Sequence, residues 1–340
     1  MAEGTRVTVI GAGVAGLACA IELAERGAAV EIVERAAGLA GAGCSWYAGG
    51  MLAPLCELES ATPLIARLGA EGIEWWRRRF PATAVNGTLV IAHGRDAAEL
   101  RQFGRRTGQF ETLDAAVLAA LEPDLAERFA TALYFPAEGH LDPRAALAAL
   151  YARAVELGVS VRFGVEGEAA ALSGREVLDC SGLAARRVLR DLRGVRGEML
   201  LLRAPEVTLS RPVRVLHPRM PVYVVPRGAG VYLVGASMLE SDAERRISAR
   251  SLLELLSAAY ALHPAFGEAE ILETGTGVRA AFADNLPRLR REGGVLYVNG
   301  LYRHGFLIAP ALARRAALAL LEGRHFTEVM DEDPRQRRLA

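Results

Sequence analysis

The stretch from Val7 to Arg35, VTVIGAGVAGLACAIELAERGAAVEIVER, limits what this chain can fold into more than any other. Val7, Thr8, Val9 and Ile10 make a short run rich in β-branched residues, suited to a buried strand, and it stops at Gly11. Gly13 and Gly16 complete a G-x-G-x-x-G pattern. Leu17, Ala20, Ile21, Leu23 and Ala24 then fall on one side of a helix that Gly27 ends, and a second apolar run, Ala29 to Val33, is tipped by Glu34. Strand, tight turn, helix and strand predict a parallel βαβ unit, hence an α/β chain with a Rossmann-like sheet. Gly11 permits the turn, Gly13 lets backbone approach a pyrophosphate, and Gly16 lets the helix lie close to the sheet. The helix N-terminus offers free N–H groups to phosphate. Glu34 sits at the distance, roughly 20 residues on, where a carboxylate accepts from ribose hydroxyls. That favours a free 2′-OH over NADP and leaves NAD and FAD equally open.

The 340 residues suffice for two domains or one large α/β unit. A formal net charge of zero gives no basis for nucleic-acid binding or a polybasic membrane contact. All 40 basic side chains are arginine, a bias expected of a GC-rich coding sequence. Cys19, Cys44, Cys56 and Cys180 form no C-x-x-C pair and no metal-ligand spacing, so no metal is expected. The cysteines fit a reduced, cytoplasmic setting, although a Cys44–Cys56 bridge stays open. A strand is expected to begin almost at the first residue, so no signal peptide is expected. No apolar run is long enough to span a bilayer.

Beyond Glu34, Ala36 to Pro54 is rich in Gly and Ala, with Trp46, Tyr47, Met51 and Leu52 interleaved, as expected of a loop that meets a ligand through its backbone. Helices are predicted at Thr62 to Arg79, Asp96 to Arg106, Asp114 to Leu121, Asp142 to Leu157, Arg250 to Leu262 and Phe306 to Leu321. Val177 to Gly182, VLDCSG, reads as a return to the dinucleotide sheet, with Ser181-Gly182 as a second nucleotide contact. Short strands from Met199 to Ser237 predict a separate antiparallel sheet. The expected organisation is an FAD- or NAD-binding domain at 1–84, 141–196 and 276–330, interleaved with a mainly antiparallel α+β substrate domain at 85–140 and 197–275, and a tail at 331–340.

Four stretches, in this order, resemble the D-amino-acid oxidase superfamily of FAD enzymes, above all its glycine oxidase branch tied to thiamine synthesis. They are GAGVAG with Glu34, the AGGMLAP loop, YVVPRGAGVYLVGASM from Tyr223 to Met238, and NGLYRHGFLIAPALA from Asn299 to Ala313. The resemblance implies FAD. It assigns Val14, Ala15, Glu34 and Arg35 to the pyrophosphate, ribose and adenine end. Cys44, Ser45, Gly49, Gly50 and Met51 would line the diphosphate and flavin, and Val165 would offer backbone to adenine. Leu301, Tyr302, Arg303, His304, Gly305, Phe306 and Leu307 would wrap the pyrimidine side of the isoalloxazine.

The same resemblance places the substrate carboxylate on Arg279, with Tyr223 donating a hydrogen bond, Arg303 near the other face and Met238 as an apolar wall. A guanidinium suits that task because it pairs bidentately with a carboxylate. The chain departs from the family at Ala280, where Pro is commoner, and at His304, where Asn is usual; His304 is expected first to cap or pack the following helix, with a hydrogen bond to the flavin or product as the alternative. The implied reaction is oxidative deamination of glycine or another small amine, with hydride passing from Cα to flavin N5, O₂ reduced to H₂O₂, and no protein base. The imine product would suit a thiazole synthase. An amine or D-amino-acid dehydrogenase or oxidase of the same fold, with another substrate or acceptor, is the alternative, and a homo-oligomer stays open.

Overall fold

The computed structural model describes residues 4–41, 43–167, 176–217 and 221–331. The expected tail beyond residue 331 lies outside them.

The opening βαβ unit forms as the glycine pattern requires: strand Arg6–Ile10, helix Val14–Ala24 and strand Ala29–Glu34. The two strands pair in parallel, Val7 opposite Val30 and Val9 opposite Ile32. Strand Glu176–Asp179 joins the other side of Arg6–Ile10, also in parallel. Ser160–Phe163 extends the sheet beyond Ala29–Glu34, and Val295–Asn299 extends it beyond Glu176–Asp179. An antiparallel strand, Arg288–Glu292, closes the last edge of this six-stranded sheet. Its high Arg content hid it in the sequence.

Helices Val14–Ala24, Pro63–Arg79 and Gly305–Leu321 pack together on this sheet, with Pro143–Glu156 beside Val14–Ala24. Their close approach rests on glycines. A Cβ on Gly72 would fall 1.9 Å from the Leu307 carbonyl oxygen, and one on Gly69 would fall 2.8 Å from the Leu307 side chain. Pro310 sits inside the last helix and has no N–H for the carbonyl of Phe306 one turn earlier. The indole Nε1–H of Trp76 donates to that carbonyl at 2.7 Å instead. The proline therefore leaves no unpaired polar group in the core.

The second sheet has nine strands and is antiparallel throughout except where Val213–Leu216 runs parallel to Thr88–Ala92. Its longest strands, Arg193–Arg203 and Glu270–Ala281, pair along their whole length and cross two of the four positions where the expected domains meet, 196/197 and 275/276. Helix Ala249–Leu262 covers this sheet, started by the Ser248 side chain, which accepts from Ser251 N–H. A two-stranded ribbon pairs Met51–Leu52 with Gly139–His140 and ties the Gly-rich loop between the sheets. Among the described residues no helix is long and apolar enough to cross a membrane.

Candidate active site

Two adjoining cavities lie between the sheets. One, of about 440 Å³, starts at Gly11, Gly13, Glu34 and Arg35. The other, of about 280 Å³, ends at Tyr223, Met238, Arg279 and Arg303. Val14, Cys44, Ser45, Tyr47, Gly277, Tyr302 and Gly305 wall both, so the two form one long crevice.

The first half is built for an anion. Helix Val14–Ala24 points its N-terminus at the crevice and has no acid in its first turn, so its partial positive charge is not neutralised. Gly11 holds φ +99°, and a Cβ there would fall 2.9 Å from the Cys180 carbonyl oxygen, which no other residue type tolerates. Ser45 Oγ accepts from Val14 N–H at 3.3 Å and fixes the loop over the helix. Ala15 and Gly182 also line this half. Glu34 lines it too, but its carboxylate accepts from the Ala12 and Ala36 N–H groups, each at 2.8 Å. Each of its oxygens keeps a further lone pair. Gly16 and Val165 do not reach the wall. A Cβ on Gly16 would fall 1.8 Å from the Gly11 carbonyl oxygen, so its task is close helix packing. The Val165 N–H donates to the Glu34 carbonyl at 3.0 Å and is used within the fold.

In the second half, Gly49, Gly50, Met51, His304, Phe306 and Leu307 join the wall. Gly50 has φ +68°, and a Cβ there would fall 2.1 Å from the Leu141 carbonyl oxygen. Gly49 and Gly235 make a slot for the Tyr223 ring: added Cβ atoms would fall 2.6 Å from its Cε2 and 2.9 Å from its hydroxyl oxygen. Arg279 lies across Gly197 on the neighbouring strand, where a Cβ would fall 2.2 Å from its guanidinium. Its Nη1 donates to the Ser237 carbonyl at 3.2 Å, and among the described residues it has no carboxylate partner. Leu301 lines the first half of the crevice. Tyr302 is held at φ +49°, an uncommon conformation for a side chain of its size, and its N–H donates to the Ala280 carbonyl at 3.1 Å. Met238 is 48% exposed at the mouth.

The sequence reading missed Glu57 and Arg214. Both line the cavity, and with Arg303 and His304 they form one cluster around the buried Glu57 and His304. The Glu57 carboxylate meets Arg214 Nη2 at 3.0 Å, Arg303 Nε at 3.3 Å and His304 Nε2 at 2.7 Å. Burial pushes this carboxyl up, but Arg303, Arg214 and His304 outweigh it and hold Glu57 well below the ordinary carboxylate range. His304 occupies the N-cap position of helix Gly305–Leu321, yet its side chain caps nothing. Of the expected roles, capping or packing, this corrects the capping one: the buried ring is taken by Glu57, and among the described residues its Nδ1 has no partner. One signal was present, an arginine within the otherwise apolar strand Val213–Leu216. Cys44 and Cys56 are both free, so no bridge joins them. Burial raises the Cys44 thiol, with Arg279 opposing.

A family model described as DAO, FAD-dependent oxidoreductase, matches residues 6–319. A protein of Rhizobium etli assigned as the thiamine biosynthesis oxidoreductase ThiO is 55% identical over 93% of this chain and 96% of its own length. The crystal structure of glycine oxidase from Geobacillus kaustophilus superimposes with a TM-score of 0.79 at 27% identity, covering 95% of this chain and 96% of that one. The bifunctional protein ThiO/ThiG of Nostoc is 28% identical over 93% of this chain, which spans 52% of that relative.

Proposed function

The chain belongs to the DAO family of FAD-dependent oxidoreductases, and on that premise we propose that it deaminates glycine or another small amino acid oxidatively, with O₂ as final acceptor. The observation that carries this reading is Arg279, a guanidinium in the inner cavity that among the described residues donates to the Ser237 carbonyl and has no carboxylate partner, with the Tyr223 ring beside the same glycine-lined wall. Such a group is a seat for a carboxylate, which it grips through two parallel N–H donors.

The residues present suit FAD. The crevice is long enough in outline to run from Glu34 to Arg303, a helix N-terminus faces its first half, and glycines at 11 and 50 stand where no side chain fits. Gly11, Gly13 and Val14 would hold the pyrophosphate, Glu34 and Arg35 the adenosine end, and Gly49 to Met51 with Leu301 to Leu307 the ring system. When bound, FAD supplies the two-electron acceptor that O₂ reoxidises to give H₂O₂. The protein's own contribution is placement. Arg279 and Tyr223 orient the carboxylate, Met238 limits the mouth, and the cavity walls exclude bulk water from Cα. The strands of the second sheet carry this substrate end, and the six-stranded sheet carries the cofactor end.

The fused ThiO/ThiG relative supports a link to thiazole synthesis, with the imine consumed by a thiazole synthase before water attacks it. The test is a purified-protein spectrum followed by anaerobic titration with glycine, sarcosine and D-alanine, then H₂O₂ measurement in air. Bleaching of the flavin band and one peroxide per substrate are expected. A flavin that none of the three reduces would refute the reading.

A further inference from the structure

Among the described residues, and apart from Arg214, which Glu57 holds, two guanidinium groups face the inner cavity, and they differ in what occupies them. Arg279 donates to the Ser237 carbonyl at 3.2 Å. Arg303 Nη1 lies 3.7 Å from the sulfur of the next residue, Met238. The pair therefore flanks one dipeptide, one guanidinium on each of two neighbouring residues. Either could take a small carboxylate on charge alone. Glu57 removes the symmetry. It engages Arg303 through Nε at 3.3 Å and Nη2 at 3.5 Å, the edge a guanidinium uses to fork a carboxylate. Glu57 is itself fixed by His304 Nε2 at 2.7 Å and Arg214 Nη2 at 3.0 Å, and it is buried. Arg279 is left as the guanidinium with an open fork.

We infer that Glu57 is a positioning residue that occupies Arg303 and so decides which arginine takes the substrate carboxylate. The inference rests on the amino-acid reading above. It has a stereochemical consequence. Four positions surround Cα: the amine site, the reacting hydrogen, and the two seats near Arg279 and Arg303. With amine site and reacting direction held, moving the carboxylate from one seat to the other brings the opposite hydrogen of glycine into the reacting position. For a chiral amino acid the same exchange presents the opposite enantiomer. Glu57 thus sets the stereochemical course without touching the substrate.

The test compares parent holoenzyme with Glu57→Gln, which keeps an acceptor for Arg214 while freeing Arg303 of an ionic partner. Glycine carrying deuterium at one or the other prochiral position is the probe, and the label retained in product is read by mass spectrometry. The parent is expected to remove hydrogen from one position. Glu57→Gln is expected to remove it from both, in amounts within about tenfold of each other, since the two seats then offer the same charge-assisted fork. The ratio of kcat/KM for the two alanine enantiomers should fall toward one in parallel. A second readout needs no turnover: acetate, titrated through the flavin absorbance, should bind Glu57→Gln at least about twofold tighter, because two equivalent seats double the ways of binding. Adding Arg303→Met to Glu57→Gln should return removal to a single position. If Glu57→Gln does not retain FAD, Glu57→Asp, whose shorter reach also loosens Arg303, serves in its place with the same expected direction. Strict removal from one position together with unchanged acetate affinity, in a variant that holds FAD, would overturn the role of Glu57 alone. A parent protein that oxidises no amino acid would overturn the reading beneath it, and this one with it.

Discussion

Trp76→Phe is a direct test of how the C-terminal helix is held at the crevice. Trp76 is fully buried, and its Nε1–H donates at 2.7 Å to the Phe306 carbonyl, which Pro310 leaves without a helical donor. Phenylalanine removes the donor. A buried carbonyl left unpaired costs about 1–3 kcal/mol, and the smaller ring adds about 1 kcal/mol for the space it vacates against Phe306, whose ring stacks on Trp76. The expected loss is about 2–4 kcal/mol, read by urea unfolding of the holoprotein at saturating FAD. Pro310→Ala makes the interpretation specific. It restores an N–H one turn after Phe306, so Trp76→Phe should cost about 1–3 kcal/mol less in the Pro310→Ala background than in the parent, a coupling that a double-mutant cycle isolates. FAD retention should follow the same order, because Phe306 and Leu307 line the crevice. Equal costs in both backgrounds, within about 0.5 kcal/mol, would refute the claim that Trp76 substitutes for the missing proline donor.

Arg279→Leu should lower kcat/KM for glycine by about 10²–10³-fold through loss of two charge-assisted hydrogen bonds, while FAD content stays at the parent level; steady-state kinetics and the flavin absorbance check both. Gly13→Val should abolish FAD retention, because backbone at the helix N-terminus could no longer approach the pyrophosphate, and the purified variant should be colourless. Glu138 and His140 give opposite pH signatures. Burial raises Glu138 to about 7, so its contribution to stability is full below pH ~4.5 and is lost as pH rises through 7. Burial lowers His140 to about 4, so its contribution is full above pH ~6.5 and is lost as pH falls through 4. Each shift corresponds to about 3 kcal/mol, and the opposite pH slopes of the two nearly cancel between pH ~5 and ~6.5. Glu138→Gln should therefore make unfolding free energy rise with pH across that window, and His140→Gln should make it fall; flat profiles in both variants would contradict the assignment.

The parts of the fold that were legible in the sequence are those where one local rule decides. The βαβ unit needs glycines at fixed places, and Val14–Ala24 starts and stops where they put it. Asp142 ahead of Pro143 predicted the start of helix Pro143–Glu156, and the Asp142 carboxylate accepts from the Arg144 and Ala145 N–H groups. Strands Glu111–Asp114 and Arg288–Glu292 were not legible, since they lie on sheet edges or faces where polar residues are tolerated and the period-two signal is lost. Arg193–Arg203 was read short for a related reason: Gly194 and Gly197 interrupt its apolar pattern, and they are there because Asp242 and Arg279 approach them too closely for a Cβ. At the site, Arg279, Tyr223 and Arg303 were legible through motif, whereas Glu57 carried no motif of its own.

That omission has a physical cause which extends to the whole loop from Trp46 to Glu57. Four arginines from distant parts of the chain end on it. Arg144 stacks on the Trp46 ring at 4.8 Å while pairing with Glu273. Arg227 donates to the Gly49 carbonyl at 2.8 Å and also reaches the Ala48 and Leu141 carbonyls. Arg214 and Arg303 both close on Glu57. A loop rich in Gly and Ala has few side chains with which to fix itself, and its ordering costs about 1–2 kcal/mol of backbone entropy per residue. Its carbonyls must be met by donors brought from outside, and a planar five-donor group meets several at once where an ammonium would meet one or two. Burial lowers the Arg227 guanidinium to about 10, still far above neutral pH, so it remains charged while clamping uncharged carbonyls. The loop's position is thus encoded in arginines that lie from 98 positions (Arg144 to Trp46) to 246 positions (Arg303 to Glu57) away from the groups they hold. No window of sequence short enough to show a period contains both partners of any such pair, which is why the cofactor motif announced itself and the acid that gathers Arg214, Arg303 and His304 did not.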